Sequence, residues 1–255
     1  MEIFLNIDAW VALLTLTFLE IVLGIDNIIF ISISANKLPE EQRKRATFLG
    51  LALAMITRIL LLLSVSYLIA MKNPFWTVEL SWLKVGFTGQ SIILFLGGIF
   101  LLYKSTKEIH HKVEDTSKDS VEQNPKLVSF SSVIFQIIMI DIVFSFDSIL
   151  TAVGMTNGVE GALTIMIIAV VISMIIMMVF ANPVSNFVNK NPTIQMLGLA
   201  FLILIGFMLI AEGAHLSHAE VFGQTVGTIP KGYLYFAIAF SLGVEILNMK
   251  ARKKK

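Results

Sequence analysis

Seven stretches of about twenty apolar residues dominate the chain, at 8–34, 46–70, 85–103, 129–155, 161–181, 193–211 and 231–248. Each is the length needed to cross roughly 30 Å of hydrocarbon at about 1.5 Å of rise per helical residue. Hydrophobic residues make up 56% of the 255 and charged residues only 15%. With a mean hydropathy of +0.83, the bilayer must act as solvent. The expected fold is therefore all-α, a polytopic membrane protein with seven transmembrane helices forming a single membrane domain over 1–255. The soluble segments are too short to bury a core of their own.

The first apolar stretch holds Glu20 and Asp26 and has no basic residue before it, so it reads as a retained helix and not as a cleaved secretory signal. No cysteine is present, which excludes disulfides and thiolate metal sites. A net charge of +1 gives no reason to expect a nucleic-acid partner. Membrane lipid is the expected surrounding, and oligomeric state is not legible.

Basic residues set the expected orientation. Lys37 and Arg43 to Arg45 follow the first stretch, Lys104, Lys107, Lys112, Lys118 and Lys126 follow the third, and Lys250 and Arg252 to Lys255 close the chain. The alternate connections are poorer in Lys and Arg. This pattern places the N-terminus outside and the C-terminus in the cytoplasm. The polar stretch 104–128 reads as a mobile cytosolic linker, 212–230 as an outer loop, and 249–255 as a basic cytosolic tail.

The linker divides two related halves, 8–103 and 129–211. Glu20-Ile-Val-Leu-Gly-Ile-Asp26-Asn27 aligns with Asp141-Ile-Val-Phe-Ser-Phe-Asp147-Ser148, acid matching acid at both positions. A weaker echo pairs Gly98 to Leu102 with Gly206 to Ile210. Three helices per half make the halves antiparallel, an inverted 3+3 repeat with the seventh helix outside it. Transporters use such repeats to alternate access to a midplane site.

Carboxylates within spans are costly and mark ion pathways or relays. A bound divalent cation would neutralise Glu20, Asp26, Asp141 and Asp147, and Asn27 and Ser148 would add the neutral oxygens that hard cations accept. Six residues turn a straight helix through about 600°, leaving the two acids of each motif roughly 120° apart. Both face one cavity only if the helix bends or unwinds, and Gly24 and Ser145 mark where a break is expected. Arg58, the one basic residue deep in a span, is expected to pair with one of the acids, as a static ion pair or as part of a gate. Without Cys, and with no His inside a span, magnesium, calcium or manganese fits better than copper or zinc. Met166, Met174, Met177 and Met178 read as packing residues, His110, His111, His215 and His218 as solvated loop residues, and Glu212 and Glu245 as helix-end residues.

The two acidic motifs, together with Phe240-Ser-Leu-Gly-Val-Glu-Ile-Leu-Asn248, resemble the TerC family over nearly the whole chain. The resemblance implies a multi-pass bacterial plasma-membrane protein of the broader LysE-like superfamily, some of whose members export manganese. It implies metal-site roles for Glu20, Asp26 and Asn27 in the first motif and Asp141, Asp147 and Ser148 in the second. The resemblance, and not the spacing, selects manganese(II) over calcium or magnesium as the transported ion, with no resident cofactor. The rival readings are a calcium or cation exchanger, a stress-assembly subunit without transport, and an intramembrane aspartyl protease. The last lacks the Tyr-Asp and Gly-x-Gly-Asp sequences typical of such enzymes, so no enzymatic activity is expected.

Overall fold

The computed structural model describes residues 6–117 and 128–252, apart from the side chains of 25, 26 and 115–117. Its elements run α1 (Ile7–Ala35), α2 (Glu40–Leu63), α3 (Val65–Ala70), β1 (Trp76–Glu79), β2 (Leu83–Phe87), α4 (Gly89–Ser117), α5 (Phe130–Met155), α6 (Ala162–Lys190), α7 (Pro192–Leu216), β3 (Glu220–Val221), β4 (Gln224–Thr225) and α8 (Lys231–Arg252). Six of the described helices, α1, α2, α5, α6, α7 and α8, are long and apolar enough to cross a membrane. The chain is thus a mostly helical, integral membrane protein. The third of the seven expected stretches falls on two elements. The stretch 85–103 begins as strand β2, and only the first half of α4 is apolar before Lys104, Lys107, Glu108 and Lys112 follow.

Local chemistry explains the helix ends. The Asn6 side chain caps α1 by accepting a hydrogen bond from the Asp8 amide at 3.0 Å, and Asp8 lies in the positive first turn. Pro39 precedes α2, whose first turn carries Glu40 and Glu41, and Pro192 opens α7, where its missing N–H has no intrahelical partner to lose.

The chain divides into two compact units, 1–70 with 126–189, and 71–125 with 190–255. In the first unit α1, α2 and α5 pack together. Buried residues Thr47, Gly50, Leu51, Ala54, Arg58 and Leu62 form one stripe along α2 at helical spacing. A Cβ added at Gly50 would meet the Ile137 side chain at 3.0 Å, so glycine there lets α2 lie close against α5.

In the second unit α4 packs along α7 through a reciprocal glycine contact. A Cβ at Gly98 would lie 2.6 Å from the Gly206 carbonyl oxygen and close to Ile210, and one at Gly206 would lie 3.0 Å from the Gly98 carbonyl oxygen and close to Leu102. These are the residues paired by the weaker sequence echo. Small residues are the usual means of backbone approach between membrane helices. Gly206→Leu is expected to force α4 and α7 apart at a cost of about 1–3 kcal/mol or more. An unchanged thermal unfolding midpoint of the detergent-purified variant would contradict this packing.

Two of the connections contain regular structure. The supposed linker is helical from Lys104 as far as Ser117, because α4 continues with Lys104–Glu108 and His110–Glu114 pairs at the i,i+4 spacing, 3.3 and 3.2 Å apart. The rest of that stretch, 118–127, lies outside the described residues, as do 253–255 of the tail. The supposed outer loop begins as the last turn of α7 and then forms β3 and β4. They complete an antiparallel sheet in the order β1-β2-β3-β4, with Trp76 opposite Phe87 and Leu83 opposite Val221. Its β3–β4 turn holds Phe222 at φ 52° and Gly223 at φ 75°, the left-handed pair of a two-residue hairpin.

Candidate intramembrane charge site

The buried stripe of α2 delivers Arg58 to the face shared with α1 and α5. Its guanidinium is 3% exposed and binds two carboxylates. Nε donates to Asp141 Oδ1 and Oδ2 at 3.1 and 3.2 Å, Nη2 donates to Asp141 Oδ1 at 2.7 Å, and Nη1 donates to Glu20 Oε2 at 2.5 Å. Ser145 Oγ donates to Asp141 Oδ2 at 3.1 Å. The Asp141 side is a fork-like, charge-assisted contact, which fixes both planes, whereas Glu20 is held by one donor. Both acids are buried. With all three groups ionised, the cluster carries one surplus negative charge, and that charge is attractive to a cation.

Helices α1 and α5 run without a break through Gly24 and Ser145, which corrects the expected irregularity there. Each of those residues has another task in a continuous helix. A Cβ at Gly24 would fall 2.0 Å from Met177 Sδ of α6, so glycine makes room for that methionine. Ser145 braces Asp141.

The intact helices change which residues share a face. Seven residues turn a helix through about 700°, nearly two full turns. Glu20 therefore aligns with Asn27, and Asp141 with Ser145 and Ser148, all five buried. Asn27 Oδ1 is buried with no hydrogen-bond partner, and Ser148 Oγ donates to the Ser145 carbonyl oxygen at 3.3 Å. Asn27 thus presents an unused oxygen acceptor on the Glu20 face, and a buried acceptor left unpaired is a cost that a cation would relieve.

Of the predicted site residues, the structure brings together Glu20, Asp141 and Arg58. Asp147 is half-buried and lies about 120° round α5 from Asp141. The Asp26 side chain lies outside the described residues. Among the described residues no three His, Cys, Asp or Glu side chains form a group able to hold a metal. Sequence reading anticipated one acid for Arg58. It missed the second because helical phase alone does not show which face of α2 meets which neighbour.

A second polar cluster went unread. Ser32 Oγ, fully buried, lies 2.9 Å from Ser185 Oγ and donates to Asn189 Oδ1 at 3.0 Å, and Asn36 Nδ2 donates to the same Asn189 oxygen. It ties the C-terminal end of α1 to that of α6. Polar residues near the ends of two apolar helices were the available signal. Met166, Met174 and Met177 are buried packing residues, while His215 and His218 are exposed, with His215 Nδ1 3.3 Å from the Val226 carbonyl oxygen. Glu245 is buried and accepts from Asn248 Nδ2 at 3.4 Å.

The family model for the integral membrane protein TerC family matches residues 5–255. The chain is 44% identical over 246 residues to a UPF0053 protein of Haemophilus influenzae, covering 96% of this chain and 95% of that one. It is 43% identical over 247 residues to the UPF0053 inner membrane protein YgdQ of Escherichia coli K12, covering 97% and 95%. A similar identity of 44% over 253 residues relates it to the UPF0053 inner membrane protein YoaE of the same organism, where the match covers 99% of this chain but only 45% of YoaE. No solved structure matches.

Proposed function

The chain belongs to the TerC family of integral membrane proteins, and from that premise we propose that it is a divalent-cation transporter of the bacterial plasma membrane, with manganese(II) as its substrate. One observation carries the reading. Two buried carboxylates share one guanidinium, which leaves one negative charge over when both are ionised, and the unpaired Asn27 oxygen lies about 10 Å further along α1 on the Glu20 face, in helices long enough to span a bilayer. An all-oxygen donor set of this kind suits hard divalent ions and repels anions. Manganese over calcium or magnesium rests on the family resemblance.

In this reading Glu20, Asn27, Asp141 and Ser148 line the path of the ion, and Asp26 and Asp147 complete the carboxylate set implied by the family. Arg58 holds Asp141 in place and competes with the ion for Glu20. The aligned acidic motifs and the reciprocal Gly98–Gly206 contact support an inverted repeat, whose halves rock to alternate access. The basic segments support a cytoplasmic C-terminus and an outside N-terminus. Metal moving out is exchanged for protons moving in, because protons and metal compete for the same carboxylates.

The test is uptake of manganese, calcium and magnesium by proteoliposomes under imposed proton and sodium gradients. Manganese flux that requires the protein and responds to the proton gradient is the expected result. Flux of none of the three ions would reject the transporter reading. It would leave the Arg58 cluster as a structural lock, the alternative favoured by its close hydrogen bonding.

A further inference from the structure

Two cavities in the first unit lie end to end along α1 and α5. An open groove of about 310 Å3 is lined by Asp8, Ala12, Thr15 and Leu16 from α1, and by Met155 and Thr156 at the end of α5. Beyond it is a small internal cavity of about 10 Å3, room for the centre of about one water, lined by Leu16, Glu20, Ile149, Ala152 and Ala169 among others. Leu16 is common to both and is itself 2% exposed. Resting on the transporter reading, we propose that the groove is the outer mouth of the ion route and that Leu16 is the constriction separating it from Glu20.

The helix geometry supports this placement. Asp8, Ala12 and Leu16 line the groove, and Leu16 and Glu20 the inner cavity, each about one turn after the last, with Leu16 about 6 Å and Asp8 about 18 Å from Glu20 along the axis. On α5 the lining passes in step from Ile149 and Ala152 to Met155 and Thr156. Asp8 is exposed and gives the rim a negative charge that favours cations. The groove has room for an ion with its water shell, whereas the inner cavity does not, so Leu16 marks where the shell must be shed. At the opposite end of α1, the Ser32–Ser185–Asn189 hydrogen bonds join α1 to α6. The conformation is open at the Asp8 end and tied at the other.

The chain has no cysteine, so an introduced one is the sole reactive thiol. Thr15→Cys should be modified by a small, positively charged, membrane-impermeant methanethiosulfonate added to intact cells. Ala169→Cys, whose native side chain is 1% exposed, should stay unmodified, and the Leu16→Ala/Ala169→Cys pair should go from background to complete modification. Should Leu16→Ala not yield folded protein, Leu16→Val takes its place and should give partial modification. A folded Leu16 variant in which the thiol introduced by Ala169→Cys stays protected overturns the constriction, and Thr15→Cys reacting only in inside-out vesicles overturns the outer mouth. Because these readouts need no metal, they stand or fall apart from the flux measurement that tests transport.

Discussion

Arg58→Ala is expected to destabilise the protein by about 3–5 kcal/mol, the cost of breaking a buried ion pair by removing one partner. It strands two carboxylates, Glu20 and Asp141, that now share the guanidinium at 2.5 and 2.7 Å in a region with little water. Arg58→Lys should recover only part of the loss, because an ammonium is a point charge and cannot fork onto Asp141 while reaching Glu20. Adding Glu20→Gln and Asp141→Asn to Arg58→Ala removes the stranded charges and should recover most of the stability without recovering transport. The measurement is thermal unfolding of detergent-purified variants. An Arg58→Ala midpoint equal to wild type would mean that the cluster is solvated and contributes little.

Glu20→Gln is expected to weaken manganese binding by more than the roughly 10–100-fold that loss of an outer-shell partner costs at a metal site, while leaving the protein folded in the membrane. The asymmetry of the cluster is the reason. Asp141 receives three of the four guanidinium contacts, so Arg58 stays neutralised when Glu20 loses its charge, and the surplus negative charge disappears. Calorimetric titration with manganese checks this, and an unaffected Glu20→Gln would defeat the shared-site mechanism. Asp147→Asn is the informative companion. A loss as deep as in Glu20→Gln would place Asp147 in the metal-binding set although it lies about 120° round α5 from Asp141.

Much of this architecture was legible in the residue order. Apolar runs of spanning length announce membrane helices, because the hydrocarbon core demands a fixed length and internally satisfied backbone. Acids inside those runs announced a charge site, because burying them without a partner is too costly. Arg58 was recognisable as a partner for the same reason. The family followed from the acidic motifs.

Which of those groups meet was settled by packing in three dimensions. Helical phase pairs Glu20 with Asn27 and Asp141 with Ser148 only if the helices are continuous, as α1 and α5 are here. A short-range pattern does not carry contacts that join separate helices. The extension of α4 past Lys104 and the small sheet were hidden for a related reason. Polar helices and two-residue strands bury too little apolar surface to leave a periodic trace, and only their neighbours hold them in place. Composition and periodicity thus establish that this chain lives in a membrane and carries charge inside it. Packing alone establishes that one arginine joins two helices through two acids.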